Sequence, residues 1–129
     1  DVTYCYYTGA VIGDRDVGGL VGSNYFGTVT QCYSTGAVRG TRGYVGGLVG
    51  DNFWGTVTAS FWDTQTSGQA MTPWSTGTGK TTAEMQTAGT FLEAGWDFVG
   101  ETANGTDDIW WINEGKDYPR LWWEVVPEN

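Results

Sequence analysis

Residues 1–27 read DVTYCYYTGAVIGDRDVGGLVGSNYFG, and residues 28–55 read TVTQCYSTGAVRGTRGYVGGLVGDNFWG. With one gap opened opposite Tyr44, 10 positions match before the gap and 8 after it, 18 of 27 in all. Cys5 returns at Cys32, Gly9 at Gly36, Leu20 at Leu48 and Asn24 at Asn52, so the offset is 27 before the gap and 28 beyond it. A third copy opens at Thr56 as TVTASFWDTQTSG, with Ser60 in place of the cysteine and Phe61 in place of Tyr33, and then diverges. A period of roughly 20 to 50 residues marks architectures in which each unit buries its apolar edge against the next.

The unit holds no helical pattern. It splits at glycine into three short extended runs, VTQCYS, AVRG and YVGGLVG in the second copy. A period of this length divided by three leaves about nine residues per side, a short strand plus a turn. The reading is an all-β chain: a short right-handed parallel β-solenoid of about two and a half coils, with like residues stacked about 4.8 Å apart. A meander of hairpins forming a sandwich is the alternative. Near-identity of the copies favours stacking, because stacked copies share one environment.

Composition agrees. Of 129 residues 21 are Gly and only 16% are charged, below the ~25% of an ordinary domain, which suits short strands joined by tight turns. Fifteen acidic against 6 basic side chains give a net charge of −9, a poor footprint for nucleic acid. The absence of His removes Ser-His and Cys-His nucleophilic sites and imidazole metal sites, and two Cys cannot make a four-thiolate site. No apolar run approaches the ~20 residues of a membrane span, so no membrane insertion is expected, and no signal peptide is seen. A chain opening at Asp1 without Met reads as a processed or excised segment, whose first coil presents an open edge for self-association or a neighbouring repeat.

The tetrads Gly19-Leu20-Val21-Gly22 and Gly47-Leu48-Val49-Gly50, with their VTxCYSTGAVxG flanks, resemble the GLUG motif. The resemblance covers roughly residues 1–63. It implies bacterial secreted or cell-surface proteins, adhesin-like, in which such repeats form extended β arrays without catalytic residues.

Three regions are expected: repeats over 1–64 (1–27, 28–55 and a partial copy 56–64), a polar loop over 65–80, and a C-terminal cap over 81–129. The cap also resembles segments that follow such repeats. Thr81 with Glu84, and Thr90 with Glu93, fit capping boxes of two short helical turns, with Gly89 and Gly95 as stops. Residues 96–99 read as a strand. Ile109–Ile112 and Leu121–Val125 read as a hairpin around Asn113–Lys116. Trp96, Trp110, Trp111, Trp122 and Trp123 would cover the last coil.

Candidate chemistry is sparse. Gly79-Lys80-Thr81 fails as a phosphate loop because Trp74 stands where the motif needs Gly, and Lys80 reads as a solvated loop residue. Asp14 with Asp16, Asp107 with Asp108, and Asp63 with Asp97 are the carboxylate pairs open to glycoside cleavage or Ca²⁺, yet turn-forming roles explain each. No catalytic, cofactor or metal residue is therefore assigned. Cys5 and Cys32, one coil apart, are a possible disulfide. Asn104 opens an Asn-Gly-Thr glycosylation sequon. Tyr6, Tyr33 and Phe61, and Phe26 with Trp54, read as packing ladders, while Trp54 and Trp74 are the choices for sugar stacking. The expectation is a non-catalytic, extracellular structural or adhesive module, open to assembly as an end-to-end fibril and to glycan contacts. A carbohydrate-binding module and a polysaccharide-cleaving enzyme are the alternatives.

Overall fold

Glycines and left-handed residues interrupt every extended run of the repeat, so its strands are short. The computed structural model describes residues 1–72 and 75–124. The first copy forms β1 (Val2–Thr3), β2 (Tyr6–Tyr7), β3 (Val11–Gly13), β4 (Val17–Gly18) and β5 (Val21–Tyr25). The second forms β6 (Thr28–Thr30), β7 (Tyr33–Ser34), β8 (Val38–Gly40), β9 (Val45–Gly46) and β10 (Val49–Phe53), and the third β11 (Thr56–Thr58) and β12 (Phe61–Asp63). Each full copy thus has five strands, where three extended runs were expected. Left-handed backbone divides them at matching positions: Tyr4 (φ 54°), Gln31 (51°) and Ala59 (49°) after the first strand of each copy, Asp16 (51°) and Gly43 (76°) ahead of β4 and β9, and Phe26 (60°) and Trp54 (58°) closing β5 and β10.

Every strand of one copy pairs in parallel with its equivalent in the next. Val2 faces Val29, Tyr6 faces Tyr33 and Gly13 faces Gly40 at an offset of 27, whereas Val17 faces Val45 and Tyr25 faces Phe53 at an offset of 28. The register therefore steps where the sequence alignment needs its gap. Among the described residues no sheet closes on itself.

The stretch 65–80 is not a plain loop. Asp63 caps a short helix α1 (Thr64–Ser67), accepting from the N–H groups of Gln65 and Thr66 at 2.9 and 3.0 Å. The chain then returns as β13 (Thr78–Lys80), parallel to β12, giving the sheet order β13-β12-β7-β2. Lys80 is accordingly a half-buried strand residue rather than a solvated loop position.

Residues Asp1–Thr82 and Ala83–Asn129 form two compact units. In the first, Leu48, Val49 and Trp62 are the buried centre, flanked by Leu20, Val21 and Val57. Leu48 and Val49 are adjacent, and in an unbroken strand they would point to opposite faces. Both are buried because the chain turns between β9 and β10, and the N–H groups of Leu20 and Val21 share the Leu48 carbonyl at 2.9 and 3.1 Å. Burying Leu48 and Trp62 stabilises this unit by roughly 2 kcal/mol or more per side chain.

Helix α2 (Thr82–Met85) leads into the second unit, which holds α3 (Ala88–Leu92) and the antiparallel pair β14 (Trp110–Trp111) and β15 (Arg120–Leu121). Thr90 does not cap a helix: it lies inside α3 with Gly89, and its hydroxyl donates to the Glu84 carbonyl at 2.7 Å. The N-cap is Thr87, and Glu114 accepts from the Ala88 N–H at 2.7 Å. Residues 96–99 make only a single bridge, Phe98 to Trp110, instead of a strand. The expected hairpin forms, but shortened to two residues a side, and Val125 lies outside the described residues. Trp96 and Trp110 pack with ring centroids 4.5 Å apart and planes tilted by 31°, with Phe91 and Phe98 around them, whereas Trp122 and Trp123 are exposed and do not join this core.

Candidate functional site

The first two copies close on matching tetrads, Asn24-Tyr25-Phe26-Gly27 and Asn52-Phe53-Trp54-Gly55. Asn52 Nδ2 donates to the Gly55 carbonyl at 3.0 Å, and Asn24 Nδ2 donates to the Gly27 carbonyl at 3.2 Å and to Asn52 Oδ1 at 2.8 Å. These bonds clamp each corner and tie the two together. A Cβ on Gly55 would lie 2.3 Å from Asn24 Nδ2, so glycine follows the aromatics because the asparagine ladder fills that space.

Between clamp and glycine the chain places large rings outward. Tyr25 and Phe53 stack at 5.1 Å with an interplanar angle of 4°. Phe26 stands edge-on to Tyr25 at 4.6 Å and Trp54 edge-on to Phe53 at 6.1 Å. Trp54 is 74% exposed, Tyr25 65%, Phe26 63% and Phe53 47%. Left-handed backbone costs a bulky L-residue about 1 kcal/mol, and here it carries two of the largest side chains at positions where Gly or Asn would fit without strain. Trp54 was legible as an exposed ring. Phe26 was legible only as its packing partner, and Tyr25 and Phe53 were not singled out, although the recurrence of Asn-aromatic-aromatic-Gly 28 residues apart was the available signal.

The remaining candidates are structural in setting or lie elsewhere. Trp74 lies outside the described residues. Cys5 is exposed and Cys32 buried, both as free thiols: Cys5 Sγ donates to the Thr3 carbonyl and Cys32 Sγ to the Thr30 carbonyl, each at 3.2 Å. They are neighbours in the ladder, since the Tyr33 N–H bonds the Cys5 carbonyl at 3.1 Å. Burial pushes the Cys32 thiol up to about 11. Both hydrogens of the Asn104 amide are committed, to the carbonyls of Leu92 and Trp96 at 3.0 Å each, so a glycan at Nδ2 would displace at least one of these bonds.

Asp14 and Asp63 are occupied in a turn and a cap, whereas Asp97 keeps one buried oxygen, Oδ1, without a hydrogen-bond partner among the described residues. Asp14 pairs with Arg42 at 2.9 Å and accepts from Thr41, contacts that hold its carboxyl below the usual range. Asp63 caps α1 and accepts from the Thr82 hydroxyl at 2.6 Å. Asp97 accepts from the Asp107 N–H at 2.9 Å. Among the described residues no three Cys, Asp or Glu side chains gather as a metal site would require.

A family model, the GLUG motif, matches residues 13–39, a span one repeat period long that includes the first aromatic corner. The chain carries the GLUG motif. Over 109 residues it is 42% identical to a protein of Evansella cellulosilytica provisionally named a Gly-rich membrane protein. That match takes in 81% of this chain and 11% of the relative, so the GLUG-bearing segment spans about a tenth of that protein's length. No solved structure matches. Among the described residues no helix is long and apolar enough to cross a membrane.

Proposed function

We propose that this chain is a non-catalytic structural module of a bacterial surface or secreted protein, whose GLUG copies are successive coils of a right-handed parallel β-solenoid that extends by adding coils. One observation carries the reading. Tyr33, Cys32, Val38, Leu48 and Val49 are 0 to 2% exposed in the second copy, while their equivalents Tyr6, Cys5, Val11, Leu20 and Val21 in the first are half-buried or exposed. The first copy covers the second, yet its own outward edge meets no strand among the described residues. The two edges carry nearly the same side chains in the same strands, so the surface that would seat on the first is another GLUG coil. The membrane-protein name of the relative supports a location at the cell surface. The pairing of Asp14 with Arg42 and the capping role of Asp63 support a role without catalysis.

The test is to duplicate residues 28–55 ahead of Asp1. The added coil should raise the melting temperature and slow amide exchange in β1–β5. If it melts independently, or leaves exchange over residues 1–27 as it was, the stacking reading fails. Sedimentation and negative-stain imaging of the unextended segment then show whether the same edge recruits a second copy and builds an end-to-end fibril.

A further inference from the structure

We propose that the aromatic corner built by Phe26 and Trp54, backed by Tyr25 and Phe53, is a binding site for a neutral, extended β-linked pyranose chain. The inference uses the pairing of the two copies seen here and does not depend on whether further coils are added. It rests on how these rings are held and spaced.

Rings that serve only as packing are buried or paired face to face. Tyr25 and Phe53 do pair, but Phe26 and Trp54 stand perpendicular to them and remain 63% and 74% exposed. The left-handed backbone at both positions and the asparagine clamp behind them hold the rings in place before any ligand arrives. A site organised in advance spends little of its binding free energy on ordering. Aromatic faces suit the C–H faces of pyranose rings, and indole adds an N–H that can meet a sugar hydroxyl.

Spacing selects the ligand. Phe53 faces Tyr25 across the parallel pair, and the Phe26 N–H bonds the Phe53 carbonyl at 3.0 Å, so Phe26 and Trp54 sit one rung apart, roughly 4.8 Å. That step is close to the advance of one residue along an extended β-linked pyranose chain, so neighbouring sugars meet neighbouring rings. A bound peptide strand, rising about 3.3 Å per residue, does not keep it. Charge narrows the class further. Neither tetrad holds a Lys, Arg, Asp or Glu, and the chain carries −9 overall, which disfavours uronic-acid polymers.

Isothermal titration calorimetry of the intact chain with cellohexaose and xylohexaose tests this. Binding is expected, weakened about tenfold in Trp54→Ala, lost in Phe26→Ala/Trp54→Ala, and largely kept in Trp54→Tyr. Circular dichroism melts of each variant separate loss of the site from loss of the fold, and Trp54→Gly, which suits left-handed backbone, provides a second folded variant lacking the ring. The proposal is overturned if neither oligosaccharide binds the parent chain, or if the double variant binds equally well. It is overturned as well if polygalacturonate binds through Trp54 more tightly than the neutral sugars. A shift in sedimentation on Trp54→Ala with no response to sugar would make the corner a contact between copies instead.

Discussion

The indole of Trp62 occupies the space that a side chain on Gly47 would need: a Cβ there would fall 2.0 Å from Cδ1 and 2.2 Å from Nε1. The ring cannot give way, being 1% exposed with its Nε1–H held by the Gln69 carbonyl at 2.7 Å. Gly47→Ala is therefore expected to cost about 3 kcal/mol, at the upper end of overpacking penalties. A thermal melt should fall by at least about 10 °C. Gly68, whose Cβ would meet nothing within 4 Å, is the packing control, though its φ of 76° adds a smaller backbone penalty on substitution.

The cysteines should differ in reactivity. Iodoacetamide at pH 8 is expected to label exposed Cys5 and spare buried Cys32, and thiol titration of the denatured, unreduced chain should count two thiols. Zero thiols in that titration would mean that the pair oxidises. Stability also follows: the unfolded thiol loses its proton near 9.0, whereas folded Cys32 keeps it up to about 11. Across that window the unfolded state binds fewer protons, so stability falls as pH rises through it. Cys32→Ser, compared with the parent by chemical denaturation at pH 8 and pH 10.5, should show a smaller loss.

At the sequon, Asn104→Ala removes both hydrogen bonds that join residues 92 and 96 and should destabilise the second unit by about 2 kcal/mol. Thr106→Ala abolishes the sequon while leaving the amide in place, and Thr106 is exposed, so its cost should stay within about 0.5 kcal/mol. Intact-mass measurement after expression in a glycosylating host is expected to show Asn104 unmodified.

Asn52→Ala should leave Asn24, itself 7% exposed, without its acceptor across the rung. A loss of about 2 kcal/mol is expected, together with faster amide exchange at Phe26 and Trp54 as the clamp opens. Urea denaturation and exchange mass spectrometry read the two effects separately.

The repeat was legible because stacked copies demand like residues at like places, and the gap opposite Tyr44 reappears as the register step between Gly13 and Val17. The return of β13 was hidden. Thr78–Lys80 shares no residue with its partner Phe61–Asp63, and parallel pairing needs only compatible backbone once Trp62 has filled the interior. Gly89 misled because a helix stop and a helix-interior glycine look alike in sequence. Here the helix starts three residues earlier, capped at Thr87 instead of Thr90, and the Ala88 N–H is met by the Glu114 side chain 26 positions away. Of the candidate site, Trp54 was visible as a residue, but the roles of Asn24 and Asn52 depend on a bond across 28 positions.

Tyr4, Gln31 and Ala59 adopt the same left-handed bend, at φ 54°, 51° and 49°, though an aromatic, an amide and a methyl group have little in common and none of the three is glycine. Neighbouring strands impose the bend and the resident side chain merely tolerates it. Such positions are addresses rather than instructions: their contents can be rewritten from one copy to the next while the course of the chain is kept. A lineage that multiplies this unit can therefore vary its corners independently, the way a printed form keeps its layout while the fields change.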